Sequence, residues 1–324
     1  MQSFYVRNVA EALYVAKQAL LLKGVEVETR NGPALEFPTP VTTVYTHSRE
    51  RVLFYPERDA NPYFHFMEGM WMLAGRNDVE WISQFNSNIS SYSDDGDVFH
   101  GAYGFRWREW FGGDQLKIAQ HRLMTFKNDR RAVVGMWDPW EDLREHNAGK
   151  DYPCNTQAFF WAREGKLNMS IVNRSNDMIW GAYGANAVHM SMLLEYMAAM
   201  TGFQVGVYYQ ISNNLHAYKK TLAKLDNMQP DYNSYLLLDK RSDDNTPTPL
   251  VTHPDTFDEE LRRWMAKDRY CLRNAVFADI CEPMRKSWDC WKQKNLTGAV
   301  NHAFTIRDAA WRKACVEWLQ RRMK

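Results

Sequence analysis

The sequence lacks the features that announce a special environment. It has no run of about 20 consecutive apolar residues, so no membrane-spanning helix is expected. The opening "MQSFYVRNVAEALYVAKQ" has neither a long apolar core nor a small-residue cleavage site, and no signal peptide is expected. Cysteine is sparse: the five fall at 154, 271, 281, 290 and 315, with no CxxC pair. An odd count without that pairing fits neither a disulfide framework nor a zinc knuckle, so no metal site is expected. Free thiols point to a reducing compartment, and a cytoplasmic setting is expected. Charge of one sign is also missing. Forty basic residues face thirty-nine acidic ones, and that balance argues against a membrane or nucleic-acid partner.

What is present describes an ordered globular chain. Apolar residues make up 45% and aromatics 14% of 324 residues, enough for one large domain or two small ones. Residues 4–23 place Val6, Val9, Ala10, Leu13 and Leu20 on one helical face, with Gly24 as a stop. Residues 25–56 read as short strands and turns. "NPYFHFMEGMWMLAG" has Asn61 as an N-cap, Pro62 at the first helical position and Gly75 past the end, so a buried helix is expected. A loop over 93–104, a helix over 114–128 and a strand over 130–137 follow. "QAFFWAREGKLNMSIVNRS" reads as a hairpin turning at Glu164-Gly165. A helix over 187–201 is expected to be capped by Asn186 and ended by Gly202. Residues 205–218 read as a strand leading into a polar turn, and 226–255 as loop and boundary. From about 256 onward the pattern is helical and rich in tryptophan.

Four features could carry chemistry. Cys154 stands behind Pro153 at a strand entrance. A free cysteine is most often a small buried hydrophobe, but a thiolate beside positive charge is a nucleophile. Glu68 lies inside an apolar helix, where a carboxylate is costly unless it is paired or used for proton transfer. Arg130-Arg131 and "NRSND", Asn173 to Asp177, combine arginines with a serine hydroxyl at strand ends, a suitable phosphate cradle. Taken singly, each is an ordinary solvated charge. His216 and Tyr218 alternate on a strand, which puts two polar rings on one face. That face could equally be a solvated edge.

The order and spacing of these features are more specific than any one of them. A Pro-Cys, a hairpin, Arg-Ser-x-Asp, a glycine turn, Asn at a helix start and His-x-Tyr together resemble the thymidylate synthase superfamily, which includes the pyrimidine nucleotide hydroxymethylases. The resemblance covers about 30–220. It implies an α+β fold, a mixed sheet flanked by helices, with residues 1–250 as the catalytic domain. Residues 251–324 are expected to form an additional helical C-terminal lobe packed on it. It also implies a homodimer packed through its sheets, with Arg130 and Arg131 reaching the partner's substrate phosphate.

The roles implied are as follows. Cys154 adds to carbon 6 of a pyrimidine nucleotide monophosphate, and Arg174 lowers its pKa. Glu68 handles proton transfers and Tyr103 helps remove the carbon 5 proton. Arg30, Arg174 and Ser175 join the arginine pair at the phosphate. Asn186 reads the base, and His216 and Tyr218 bond the sugar. Asp177, Glu68 and Trp71 hold the folate. Methylene-tetrahydrofolate is the one-carbon donor, and no metal is implied.

Departures from the synthase pattern bear on the product. Asn155 follows the cysteine where synthases carry histidine. The loop "ISSYSDDGD" lacks a shielding tryptophan, and the chain ends "LQRRMK" without an apolar tail. Asn214 replaces an aspartate before His216. A less shielded site favours water over hydride at the last step. "CNT", "RSND" and "LHAY" resemble the deoxycytidylate hydroxymethylases, so conversion of dCMP to its hydroxymethyl form is the leading expectation, as in some bacteriophages. dUMP hydroxymethylase, thymidylate synthase and a catalytically silent nucleotide or RNA binder are the rivals. The turn "GAYGAN" is one residue longer than usual, so Ala185 competes with Asn186 for the base-reading position. Residues 301–324 hold six basic and two acidic side chains and are read as a packed helical lobe.

Overall fold

Strands form where β-branched and aromatic residues alternate in burial with polar ones. The computed structural model describes residues 1–126, 128–144, 149–231, 234–238, 247–268 and 271–323. The large sheet contains β1 (Gln2–Val6), β4 (Val41–Tyr45), β5 (Val133–Gly135), β6 (Asn155–Arg163), β7 (Lys166–Asn173) and β9 (Gln204–Ser212). Its spatial order is β1-β4-β9-β7-β6-β5. Pairing is parallel for β1 with β4 and for β7 with β9, and antiparallel elsewhere, so the sheet is mixed. A smaller sheet of β2 (Val25–Val27), β3 (Ala34–Glu36), β10 (Leu215–Tyr218) and β8 (Asn176–Asp177) has the order β2-β3-β10-β8. The architecture is α+β, as expected.

The β6–β7 hairpin turns at Glu164-Gly165, as read from the sequence. Both residues have positive φ, 52° and 74°, which a two-residue primed turn requires. Along β7, Leu167, Met169, Ile171 and Asn173 are buried while the residues between them are half-exposed. The longer helices lie at α1 (Val9–Lys23), α2 (Pro62–Leu73), α3 (Gln115–Thr125), α4 (Asn186–Thr201), α5 (Phe257–Met265), α6 (Glu282–Lys292), α7 (Leu296–Phe304) and α8 (Ala309–Gln320). No helix among the described residues is long and apolar enough to cross a membrane.

Two expectations are corrected. The helix predicted over 4–23 begins only at Val9. Asn8 caps it by accepting from Glu11 N, and Glu11 reaches back to Arg7 N at 2.7 Å. That cap leaves Phe4 and Val6 to bury alternately as β1 instead. Asn186 does not cap its helix. Ala185, in helical conformation, precedes it, and the Asn186 side chain bonds sideways. Within 226–255, residues 232–233 and 239–246 lie outside the described residues; the described remainder holds no long helix or strand after residue 226.

Helix α2 is the buried centre of the molecule. Asn61 caps it, accepting from Phe64 N at 3.1 Å, and Gly75 follows it with φ 74°. On one side Tyr63 meets Trp288 and Trp318 at ring distances of 5.2 and 5.6 Å, and Phe66 meets Trp311 at 5.2 Å. The Tyr63 hydroxyl shares a 2.7 Å hydrogen bond with Ser287. The C-terminal helices therefore cover α2. On its other side α2 crosses α4 so closely that a Cβ on Gly69 would collide with the Met192 sulfur. A third contact places Gly104 against the carbonyl of Met72, with no room for a methyl group. That contact seats Tyr103.

Gly104→Ala is expected to force these backbones apart and to destabilise the protein by about 2–3 kcal/mol, read as a fall of several degrees in thermal midpoint. An unchanged midpoint would mean that the Met72 backbone yields freely.

Candidate active site

The strands that cross between the two sheets build the site. β7 ends at Asn173 and the chain re-pairs at once as β8. β9 ends at Ser212 and re-pairs as β10. Cys154 sits at the mouth of β6, beside the first of these crossings, because Asn155 pairs with Asn173. The backbone N–H groups of Cys154 and Asn155 both donate to the Tyr103 hydroxyl, at 3.2 and 3.3 Å. Burial pushes that phenol far above its ordinary range, so Tyr103 keeps its proton.

Arg174 is tied to the same corner. Its N donates to Cys154 O at 2.9 Å, its Nε to Pro153 O at 3.0 Å, and its guanidinium lies over Trp137. Burial pushes the Cys154 thiol up. Arg174 and Arg30 pull it back, and Asp177 pushes it up again; the net direction is upward. On its own the thiol is therefore protonated near neutrality, and the arginines limit the cost of ionising it.

A chain of amides lies behind the cysteine. Asn155 Nδ2 donates to Asn186 Oδ1 at 3.3 Å, Asn186 Nδ2 to Asn176 Oδ1 at 3.0 Å, and Asn176 Nδ2 to Ser212 Oγ at 3.2 Å. Gly181 leaves the space these amides occupy, since a Cβ there would lie 2.7 Å from Asn176 Oδ1. The extra residue of "GAYGAN" is absorbed by a wide helical turn, Met178–Ala185, broken at Tyr183 and Gly184. This places Asn186, not Ala185, in the chain.

Asp177 accepts from Ile179 N at 2.8 Å and Trp180 N at 2.7 Å through Oδ1. Its Oδ2 is buried with no hydrogen-bond partner among the described residues. Burial pushes its carboxyl up, against the pull of His216 and Arg58. His216 and Tyr218 share a face, their rings 5.3 Å apart. His216 Nδ1 contacts Asn214 Oδ1 at 2.7 Å, and Asn214 Nδ2 donates to Glu36 at 2.7 Å. Burial draws the imidazole down, while Asp177 and Glu36 push it up. The Tyr218 hydroxyl accepts from Asn31 Nδ2 at 3.2 Å, which brings the segment holding Arg30 to the site. Ser175 lies between β7 and β8 beside Arg174.

Glu68 projects from α2 to within 3.2 Å of His189 Nε2 on α4. Trp71, one turn on, packs against Phe99, and its Nε1 is buried without a hydrogen-bond partner among the described residues. Asp177 Oδ2 and Trp71 Nε1 thus leave one acceptor and one donor unspent, group types that match the N–H and carbonyl groups of a heteroaromatic ligand. Among the described residues no group of three or more His, Cys, Asp or Glu could hold a metal.

Arg130 and Arg131 do not join this cluster within one chain. The register of β5 on β6 puts them at the opposite end of the hairpin from Cys154, roughly 20 Å away at the rise of a strand. Arg131 is 74% exposed and holds Asp129 at 3.2 Å.

Sequence reasoning missed two residues. His189 reads as one more position on a buried helix, although a histidine three residues after Asn186 must share its face. Arg58 is buried, lies 4.0 Å over Trp180 and donates to Ile179 O at 2.8 Å, and burial lowers its pKa to about 10. No local pattern in "YPERDANP" distinguishes it from a surface charge.

The thymidylate synthase family model matches residues 18–243. A deoxyuridylate hydroxymethyltransferase of Pseudomonas phage M6 is 43% identical over 99% of this chain and 95% of its own length. A protein of the same name from Bacillus phage SP01 is 36% identical over 64% of this chain and 56% of its own. A thymidylate synthase of Symbiobacterium thermophilum is 31% identical over 48% of this chain and 58% of its own.

Alkylation of Cys154 by iodoacetamide, followed by peptide mass, should rise with pH around a midpoint above that of an ordinary thiol. Arg174→Gln should move the midpoint further up, because the thiolate loses a positive neighbour. A midpoint that stays put would show that Arg174 does not act on the sulfur.

Proposed function

The chain belongs to the thymidylate synthase family and is a one-carbon transferase; on that premise we propose that it hydroxymethylates carbon 5 of dUMP. The observation that carries the reading is the site's own geometry, a half-buried thiol with Arg174 and Tyr103 locked around it, in a chain related over almost its whole length to a deoxyuridylate hydroxymethyltransferase. The base preferred here is uracil, not the cytosine that the short motifs suggested. The amide chain supports this choice. In the arrangement found, Asn186 Nδ2 spends one hydrogen on Asn176 and keeps one. A donor suits the carbonyl oxygen of uracil and opposes the amino group of cytosine. Reversing Asn186 requires reversing its amide neighbours with it.

The proposed roles are these. Carbon 5 of the pyrimidine is a poor nucleophile until sulfur adds to carbon 6, and Cys154 supplies that sulfur. Arg174 and Arg30 stabilise the thiolate and, with Ser175, take the phosphate. Asn186 aligns the ring. His216 and Tyr218 take the sugar hydroxyl. Tyr103, protonated and anchored by two N–H groups, hydrogen-bonds solvent that receives the carbon 5 proton. Asp177 and Trp71 hold the folate, which supplies one carbon at the oxidation level of formaldehyde. Glu68 moves protons beside it. The loop over 87–98 carries no tryptophan, and Tyr92 within it is exposed, so water reaches the one-carbon unit. The half-exposed outer face of the large sheet and the distance of Arg130 and Arg131 from Cys154 support a homodimer in which those arginines serve the other copy's phosphate.

With methylene-tetrahydrofolate and dUMP, the product mass is expected to be that of hydroxymethyl-dUMP with no rise in absorbance at 340 nm. Hydroxymethyl-dCMP from dCMP alone would return the base to cytosine. dTMP with a rising absorbance would make the protein a synthase. Cys154→Ser should abolish turnover while dUMP still binds. Mixing Arg131→Ala with Cys154→Ser should restore about one quarter of wild-type activity in the mixture, since random pairing makes half of the dimers mixed and each holds one intact site if the arginine acts across subunits. Absence of recovery counts against a shared site.

A further inference from the structure

The choice of water over hydride needs a base that is anionic when water arrives. A carboxylate on a buried apolar helix is driven toward its neutral form unless a donor faces it. The donor available to Glu68 is His189. Nε2 lies 3.2 Å from Glu68 Oε2, and the His189 side chain is 1% and that of Glu68 13% exposed. The contact is out of hydrogen-bond alignment, and Glu68 Oε2 and both His189 ring nitrogens have no hydrogen-bond partner among the described residues. Such buried, unspent polar atoms are rare in a folded protein and mark groups held for a task.

The placement is built into the helix crossing. Gly69, the neighbour of Glu68, removes the side chain that would hold α2 away from α4. His189 follows Asn186 by three residues and shares its face. One helix therefore carries both the residue facing Asn155, next to the nucleophile, and the residue facing the carboxylate. The other titratable groups near the imidazole are His65, on α2, whose ring centre is 6.5 Å away, and Arg58 beyond it. His65 is held neutral by burial, with Arg58 and His189 adding to the effect. Of these groups, Glu68 is the acidic one that faces the imidazole.

We propose that His189 is the positioning residue that makes Glu68 the base for water, so that this pair directs the last step to a hydroxymethyl product. The proposal rests on the hydroxymethylation reading above. In the step concerned, the water oxygen bonds to the exocyclic carbon on ring carbon 5, and the water proton goes to Glu68. The electron pair of the exocyclic double bond moves to the ring carbonyl oxygen. The enolate then collapses, re-forming the carbon 5–carbon 6 double bond as the carbon 6–sulfur bond breaks and Cys154 leaves as thiolate. His189, facing Glu68 Oε2 through Nε2, turns into line with it when water binds and holds the carboxylate aimed until the proton moves. Carbon 5 deprotonation, which comes earlier, does not use the pair.

The test uses the full-length protein with dUMP tritiated at carbon 5, methylene-tetrahydrofolate and 2-mercaptoethanol. Tritium release reads the earlier step. Hydroxymethyl-dUMP reads water addition, and a thioether of dUMP reads the trapped methylene. His189→Leu should release tritium within about threefold of wild type but lose about 10²-fold in hydroxymethyl product, the scale of one proton-transfer group, with thioether appearing in its place. His189→Gln, which still donates, should recover most of the hydroxymethyl product. Equal loss of tritium release and product, or no change in either, overturns the proposal. If circular dichroism shows His189→Leu unfolded, His189→Ala is read by the same two ratios. Failure of the hydroxymethylation reading is distinguishable, because wild type would then give dTMP before any variant is compared.

Discussion

A single carboxylate on an otherwise apolar helix is the constraint around which this structure is arranged. Glu68 cannot be moved to the surface without moving α2, and α2 is covered by Trp288, Trp311 and Trp318 on one side and by α4 on the other. The C-terminal helices thus complete the burial of the helix that carries Glu68. Their contribution to the site is indirect: they remove water from behind Glu68, and a drier surrounding strengthens every contact the carboxylate makes in front. The last turns of α8 extend the same packing. Arg321 and Arg322 grip Asp59, the neighbour of Arg58, and Arg58 lies over Trp180 beside Asp177. The end of the chain is therefore continuous with the wall of the site.

The second organising feature is the pair of strand crossings between sheets. A strand that changes sheets must turn its side chains, and it does so where Asn173, Asn176 and Ser212 meet. Polar residues are needed there because backbone groups leave one ladder before joining the next. The asparagines meet that need and at the same time form the amide chain that reaches Asn186. The site occupies the position in the fold where polar groups are structurally required, so its chemistry adds little cost to the core.

How much of this the sequence displays depends on whether a residue's role is local. The hairpin turn at Glu164-Gly165 and the cap at Asn61 are local devices, and both were legible. Cys154, Arg174, Asp177, His216 and Tyr218 were legible through their order and spacing, and the structure gathers them at one corner. β1 was hidden because its apolar residues continue the helical face of α1; the boundary depends on the Asn8 side chain, not on periodicity. Asn186 was misread as a cap because a polar residue at a helix start usually is one. Its true partners, Asn155 and Asn176, lie 31 and 10 residues away. His189 and Arg58 were invisible for a related reason. Burial and a long-range partner define them, and a sequence prints neither. The choice between uracil and cytosine is not legible in the motifs, because one amide can present either face.

Taken together, the titratable groups of the site share one direction. Burial pushes Cys154, Asp177 and Tyr103 up and draws His216 down, so each is held toward its neutral form. Neutral groups are far less costly to bury than charged ones, which explains how so many fit in one corner without unfolding it. The Cys154 thiolate is unfavourable on its own, and Arg174 and Arg30 are the groups that offset its charge. A corner of neutral groups holds water weakly, and the Glu68–His189 contact stands apart from it as a pair of buried polar groups that no hydrogen bond has spent.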